Sequence, residues 1–488
     1  MQRIIPGPSH PLLDTAATRH IEQAAQACLP AHALMQRAGL AVARLALALA
    51  PHARTVWIAC GPGNNGGDGL EAALQLKLRG WHPVVTCLST PDRLPPDARA
   101  AHARALAVGV QFSELAPAAP DLCIDALLGI GASRAPAGRM AEWIAHMNVA
   151  CGTVLSADIP TGLQADTGVA APTTVRAHAT LSLLTLKPGL FTAQGRDHAG
   201  AVWFDALDTR AGQPEWSTPT AWLGGAPGQA QRPQASHKGN WGDVAVAGGA
   251  TGMTGAALLA ATAALHAGAG RVLVCLLDGG SLAVDAAQPE CMFRTPESMD
   301  WPSVTTVCGC GGGAAVLPML PTVLASAPRL VLDADALNAI AGDPGLQTLL
   351  AGRAQHGWAT VLTPHPLEAA RLLGCTAAEV QADRQAAACS LAGHLCCVVV
   401  LKGSGSIITA PGMVPVINPT GNALLATAGT GDVLAGLLGA RLAAEKETSM
   451  QAAFDAACNA CYAHGLVADT WPASRALTAL ALARSLRY

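Results

Sequence analysis

Short apolar runs alternate along this chain with longer stretches in which apolar residues recur at helical spacing. In the first half, TVWIAC (55–60), HPVVTCL (82–88), DLCIDALLG (121–129), TVLSADIP (153–160), ATLSLLTL (179–186) and AVWFDAL (201–207) read as strands. Helices are predicted over 69–79 and 97–107, and a helical stretch over 14–50 precedes the first strand. In the second half, DVAVAGG (243–249), RVLVCLL (271–277), TTVCGC (305–310), RLVLDAD (329–335), ATVLTP (359–364) and VVVLKG (398–403) read as strands. Helices are predicted over 255–267 and 376–394, and SGSIITAPGMVPVIN (404–418) predicts an antiparallel hairpin. Strands alternating with helices predict an α/β fold, with parallel sheets covered by helices on both faces. Between the halves, 209–236 is rich in Pro, Gly, Gln, Ser and Thr and lacks either period, so it reads as a linker. The predicted domains are 1–208 and 237–488.

Composition narrows the class. The chain has 488 residues, 51% hydrophobic and only 13% charged, which excludes disorder for most of its length. Neither a Gly triplet nor a charged heptad appears, which excludes collagen and coiled coil. Aromatics are 3% and glycines number 51, so the core is predicted to rest on small side chains and close backbone approach. The net charge is −3 with both signs interspersed, and no basic stripe suggests nucleic acid. Fifteen cysteines, an odd count, exclude a complete disulfide framework and suggest reduced thiols in a cytoplasmic protein. Residues 1–9 lack the apolar core of a signal peptide. Uncharged stretches at 244–270 and 301–328 are long enough to span a bilayer. Glycines interrupt the first and prolines the second, so both are expected to be buried strand–loop–helix units and no membrane partner is predicted.

GPGNNGGDG (61–69) follows a strand and opens a helix. Such a loop cradles an anion: its glycines let backbone approach a phosphate, and the helix start presents free N–H groups. A tight packing turn has a similar look, but it does not require Asn64, Asn65 and Asp68. Asp125 in DALLGIGASRA, and Asp158 with Thr161 in SADIPTG, follow two more strands of the same sheet. Loops at the carboxyl ends of parallel strands converge on one crevice, so these three loops predict one polar site.

GPGNNGGDG, DALLGIG and SADIPTG, in this order, resemble the NAD(P)H-hydrate epimerase domain (the YjeF N-terminal type) over about residues 10–208. The resemblance implies a Rossmann-like α/β/α sandwich. It implies that Asn64, Asn65, Gly66, Gly67 and Asp68, with Gly129, Ile130, Gly131, Ala132, Ser133, Arg134 and Ala135, hold a hydrated dinucleotide. Asn65, Asp125 and Thr161 would hold a potassium ion, and oxygen donors suit a hard cation. Asp158 would contact the hydrated nicotinamide near C6. Lys187 and Gly189 in TLKPGL match the same pattern but are read as a strand end and a turn.

TAGTGDVLAG (427–436) places Gly429, Gly431 and Asp432 where a loop enters a helix. The N–H groups there can form an anion hole. Asp432 can act as a base toward a hydroxyl that attacks a phosphoryl group, or can simply cap the helix. At a helix start its pKa is expected to stay low. GTGD with the preceding LKGSGS (401–406) resembles the ribokinase-like kinases. GATGMTGAALLA (249–260), CGCGGG (308–313), LDADALN (332–338), TPHPLEAARLLG (363–374) and NPTGNALLATAGTGDVLAG (418–436) resemble the NAD(P)H-hydrate dehydratase domain (the YjeF C-terminal type). The resemblance implies that Ala256, Gly311, His365 and Asp432 bind the hydrate. Lys402, Gly403, Ser404, Gly405, Ser406 and Gly431 would bind the nucleotide, and Asp432 would be the catalytic base. Cys310 and Gly312 replace the Pro and Leu usual in the family's GPGLG loop.

Together the resemblances imply a bifunctional enzyme. It would epimerise R and S hydrates of NADH and NADPH (NADHX and NADPHX) and dehydrate the S form using ADP, with ATP the alternative, and Mg²⁺. A homo-oligomer is expected. A kinase of the same fold releasing a stable phosphorylated product is the nearest rival, and a non-catalytic first half is another. Cys458, Cys461 and His464 in CNACYAH lack a fourth zinc ligand and are read as residues of a packed helix.

Overall fold

The structure, a computed structural model, describes residues 1–131, 134–150, 152–209, 218–228 and 232–487. The chain divides into two units, Met1–Ile5 with His10–Ala221, and Pro6–Ser9 with Trp222–Tyr488.

The strand Val56–Cys60 is buried at every position, as a strand covered on both faces must be. It lies inside the first unit's sheet, whose order is Gln2–Arg3, Ala201–Asp205, Ala179–Leu183, Thr153–Ala157, Leu122–Ala126, Val56–Cys60, Pro83–Cys87 and Gln111–Phe112. All pairs are parallel except the first. From Val56–Cys60 the chain winds outward to Gln111–Phe112, then returns and winds outward on the other side from Leu122–Ala126. The loops that leave the carboxyl ends of these two strands diverge and open a crevice.

Three local readings are corrected. The predicted helix over 69–79 begins earlier and spans Asn64–Leu78, so most of the Gly-rich loop is helix. Its glycines are there for contact: a Cβ on Gly66 would stand 2.1 Å from the Gly61 carbonyl oxygen. The stretch 14–50 is two helices, Thr15–Cys28 and Ala33–Leu49, broken around Pro30 because proline cannot donate to a helix ladder. Within 209–236, Ala221–Leu223 is a strand that pairs in parallel with Val416–Ile417, although that segment reads as linker; 210–217 and 229–231 lie outside the described residues.

In the second unit the parallel order is Met292–Phe293, Arg271–Leu276, Asp243–Gly248, Thr305–Cys308, Arg329–Leu332, Ala359–Leu362 and Val398–Leu401. The predicted hairpin follows as Ile407–Thr409 and Val416–Ile417, both antiparallel to their predecessors. Winding reverses between Asp243–Gly248 and Thr305–Cys308, so a second crevice opens there. The predicted helix over 376–394 is two, Ala377–Ala382 and Arg384–Leu395, because Asp383 turns its carboxylate back to cap the second. The uncharged stretch at 244–270 is a strand, a turn and the helix Thr254–His266. No helix among the described residues is long and apolar enough to cross a membrane.

Small residues set the packing of this unit. The helix Thr430–Ala444 crosses Thr254–His266 so closely that a Cβ on Gly436 would lie 1.9 Å from the Ala260 carbonyl oxygen. Backbone cannot yield as a flexible side chain can. Gly436→Ala is therefore expected to destabilise this unit by about 1–3 kcal/mol, read as a lower urea midpoint with unchanged slope.

Candidate active sites

In the first unit the loops at the winding reversal enclose a cavity of about 390 Å³. Asn64, Asn65, Asp68, Gly129, Ile130, Gly131 and Asp158 all line it, together with Lys187 and, from the first helix, Arg19 and Glu22. Gly66 and Gly67 are buried against Gly61 and Met35 and serve packing. Arg134 and Ala135 are exposed and do not line the cavity, while Ala132 and Ser133 lie outside the described residues.

Asp158 follows the strand Thr153–Ala157 with φ +69°, a conformation that L side chains rarely adopt. Such strain persists where surrounding contacts over-determine it. Its carboxylate pairs with the ammonium of fully buried Lys187, which also donates to the Leu183 carbonyl at 2.7 Å and to the Ser182 hydroxyl at 3.3 Å. Reading Lys187 as a strand end is thus incomplete. The sequence signal was available, since a lysine inside an apolar run with no exposed face needs a buried counter-charge.

Asp125 is fully buried behind the cavity. Its oxygens accept from the Thr161 hydroxyl at 2.6 Å, the Thr161 N–H at 2.9 Å, the Ser156 hydroxyl at 2.8 Å and the Leu127 N–H at 3.3 Å. Burial raises its pKa, only partly offset by these donors. It has no cationic partner among the described residues. Asn65 buries both its Oδ1 and its Nδ2 without a hydrogen-bond partner. A carboxylate without a counter-charge and an orphaned amide oxygen are donors that suit a hard cation. Asp68 is pushed well above the ordinary carboxylate range by burial and by neighbouring Asp158 and Glu22.

In the second unit the loops after Asp243–Gly248 and Thr305–Cys308 lie against each other. Gly249 and Ala250 donate their N–H groups to the Cys310 and Gly311 carbonyls at 2.9 and 2.7 Å. A Cβ on Gly311, where φ is +58°, would stand 2.8 Å from the Ala256 Cβ, so the two predicted hydrate-binding positions adjoin.

Asp432 is the third residue of the helix Thr430–Ala444, whose start is left without a side-chain cap by Gly429. Beside it stand Asp333 and Cys310, with one ligand atom from each of the three within 4.8 Å of the others. The low pKa expected from the helix start is corrected. Burial, and then the Asp333 carboxylate, raise Asp432 to about 6 against the lowering effects of the Cys310 thiol and Lys402. The dipole term is smaller than the cost of taking a carboxylate out of water.

Lys402 follows the strand Val398–Leu401 and donates to Asp333 at 2.6 Å; Glu368 stands 4.0 Å away. Burial lowers the Lys402 pKa, but these carboxylates raise it further, so the net shift is upward. A Cβ on Gly431 would lie 3.4 Å from the Lys402 Nζ, which brings the uncapped helix start and the cation together. Gly403, Ser404 and Ser406 follow on the surface side of this lysine, and Gly405 is buried. Gly403, with φ +143°, lies against the guanidinium of buried Arg384, which also donates to the Leu401 and Lys402 carbonyls at 3.3 Å.

His365 caps the helix Pro366–Leu373: its Nδ1 accepts from the Leu367 and Glu368 N–H groups, and its Nε2 faces Glu368 at 3.2 Å. It joins the cluster through Glu368. His464, read as packing alone, is buried with Nε2 2.9 Å from the Thr430 carbonyl, and burial lowers its pKa to about 4. It stays neutral and pins the start of the helix Thr430–Ala444. Asp333 is the residue that sequence reasoning missed as a site member, although LDADALN contained it. No magnesium cage is present among the described residues, because a thiol is not a magnesium ligand and Asp333 is held by Lys402.

A family model described as NAD(P)H-hydrate dehydratase matches residues 244–486, and one described as YjeF-related protein N-terminus matches 31–189. The bifunctional NAD(P)H-hydrate repair enzyme Nnr of Escherichia coli K12 is 35% identical over 465 residues, covering 90% of this chain and 85% of that one. The chain belongs to the bifunctional NAD(P)H-hydrate repair enzyme family. The ADP-dependent (S)-NAD(P)H-hydrate dehydratase of Neisseria meningitidis serogroup B is 41% identical over 259 residues, covering 52% of this chain and 84% of that one. Among solved structures, the ADP/ATP-dependent NAD(P)H-hydrate dehydratase of Bacillus subtilis, co-crystallised with ATP/Mg²⁺, is 29% identical with TM-score 0.43, covering 52% of this chain and 90% of that one. In this NAD(P)H-hydrate repair family member the dehydratase model falls within the second unit and the N-terminal model within the first.

Proposed function

We propose that the first unit epimerises R and S NAD(P)H hydrates and that the second dehydrates the S form with ADP as phosphoryl donor. The observation that carries this reading is Asp432: a carboxylate raised to about 6, at an uncapped helix start, beside Lys402. A base poised near working pH next to an anion hole suits phosphoryl transfer to a hydroxyl.

In the dehydratase step, Asp432 takes the proton of the 6-hydroxyl as that oxygen attacks the β-phosphorus of ADP. The new O–P bond forms and the bond to AMP breaks. The N–H groups around Gly431, with Lys402, stabilise charge on the transferring group. The C6–O bond then breaks with phosphate leaving and a proton lost from C5, which restores the ring double bond. Ala256, Gly311 and His365 hold the hydrate, and Lys402–Ser406 hold the nucleotide. Lys402 and the N–H groups around Gly431 would face the nucleotide's phosphates, where bound magnesium would supply further neutralisation of charge.

In the epimerase site, Asp158 stands on the cavity wall, where it can take and return a proton at the ring hydroxyl. Lys187 holds it in that position. Asn65, Asp125 and Thr161 would hold potassium, which supplies a fixed positive charge beside the substrate. The test incubates the purified protein with mixed hydrate epimers, ADP or ATP, and Mg²⁺, and follows absorbance of the reduced nicotinamide. Full recovery with phosphate released one for one is expected, with ADP the better donor. No recovery with either nucleotide overturns the dehydratase reading. Recovery that stops at the S fraction overturns the epimerase reading.

A further inference from the structure

The cavity of the first unit is acidic, yet the substrate proposed for it is an anion. Glu22, Asp68, Asp97 and Asp158 line it against only Arg19 and Lys187, and Lys187 is held by Asp158. Burial keeps Asp68 and Glu22 above the ordinary carboxylate range, which removes part of that negative charge. A dinucleotide still brings a diphosphate that is anionic at neutral pH and needs a cation.

Arg19 lies on the helix Thr15–Cys28, outside the segment matched by the family model, which begins at residue 31. Its side chain is exposed at the cavity and makes no ion pair among the described residues. Its Nη2 is 3.4 Å from the position a Cβ on Gly131 would take, so the guanidinium reaches the loop leaving the strand Leu122–Ala126. Gly63 leaves the start of the helix Asn64–Leu78 without a side-chain cap, and Gly63 and Asn64 line the same cavity as Arg19. A planar cation and an uncapped helix start lining one cavity suit a phosphate pair.

We infer that Arg19 contacts the diphosphate of the dinucleotide in the epimerase site; the inference rests on the epimerase reading above. Arg19 is a substrate-binding residue.

The test uses the full chain and compares recovery of reduced dinucleotide from the R epimer, which needs both units, with recovery from the S epimer, which needs only the second. Arg19→Ala is expected to raise KM for the R epimer about tenfold with kcat little changed, and to leave the S epimer kinetics alone. Arg19→Lys should regain part of the loss, since it keeps the charge but not the fork. Wild type and Arg19→Ala should process the hydrate of reduced nicotinamide riboside, which has no phosphate, equally well. An unchanged KM for the R epimer, or an equal rise with the riboside hydrate, overturns the inference. If the unsubstituted enzyme recovers nothing from the R epimer while using the S epimer, the epimerase reading fails and this inference falls with it.

Discussion

Asp432→Asn is expected to lower kcat for nucleotide-dependent dehydration by about 10²–10⁴-fold, the range that a positioned general base contributes. The amide keeps the shape and the helix start but cannot take the hydroxyl proton. The parent enzyme should also show a rate limb that the variant lacks. Burial, then the Asp333 carboxylate, place Asp432 at about 6, and Cys310, Lys402 and Asp335 are the other titratable groups acting on it. A base works only when deprotonated, so kcat/KM should fall as pH drops through about 6 and level off above it. Stability supplies the control for misfolding. A carboxylate whose value is raised on folding costs the native state as pH climbs through that window. Removing its charge should therefore leave the second unit at least as stable at pH 7. A variant that kept full activity, or a parent without the acidic limb, would take the role of base from Asp432. Epimerisation, measured by interconversion of the epimers without nucleotide, should be unaffected.

Lys187→Met is expected to destabilise the first unit by about 3–5 kcal/mol and to abolish epimerisation. The lysine is completely buried and its ammonium faces Asp158, whose side chain is 13% exposed. Methionine fills a similar volume but leaves that carboxylate without its counter-charge and the Leu183 carbonyl without its donor. The cost is the desolvation of an unpaired charge, not the loss of an attractive pair. The double variant Lys187→Met with Asp158→Leu separates the two: stability should largely return because no orphaned charge remains, while activity should not. Denaturant unfolding of the single and double variants gives the coupling directly. A single variant as stable as the parent would show that the pair does not carry the local fold.

Much of this protein was readable from order along the chain. The alternation of apolar runs set the α/β class, and the strands were placed within a few residues, because a strand buried on both faces has an apolar signature that needs no partner to be recognised. The motifs at 61–69, 125, 158–161 and 427–436 were likewise visible, since clustered glycines mark close backbone approach and Asn, Asp and Thr at strand ends mark polar chemistry. Helix starts were less legible. Asn64–Leu78 absorbs the Gly-rich loop because its glycines are selected by contact with Gly61 and Met35, a fact of packing that propensity does not contain.

Charge was the least legible quantity. The sequence by itself determined two α/β units, their family and several of the residues that line the first cavity. Only the tertiary structure decided that Asp432 is raised to about 6 and that Lys187 neutralises Asp158 from inside the core. It also decided that Asp333 ties Lys402 beside the helix Thr430–Ala444 and that His464 pins its start. The reason is physical. Strand and helix patterns follow from neighbours in sequence, whereas a pKa or an ion pair depends on burial and on charges within a few ångströms, brought together by residues as far apart as 333 and 402.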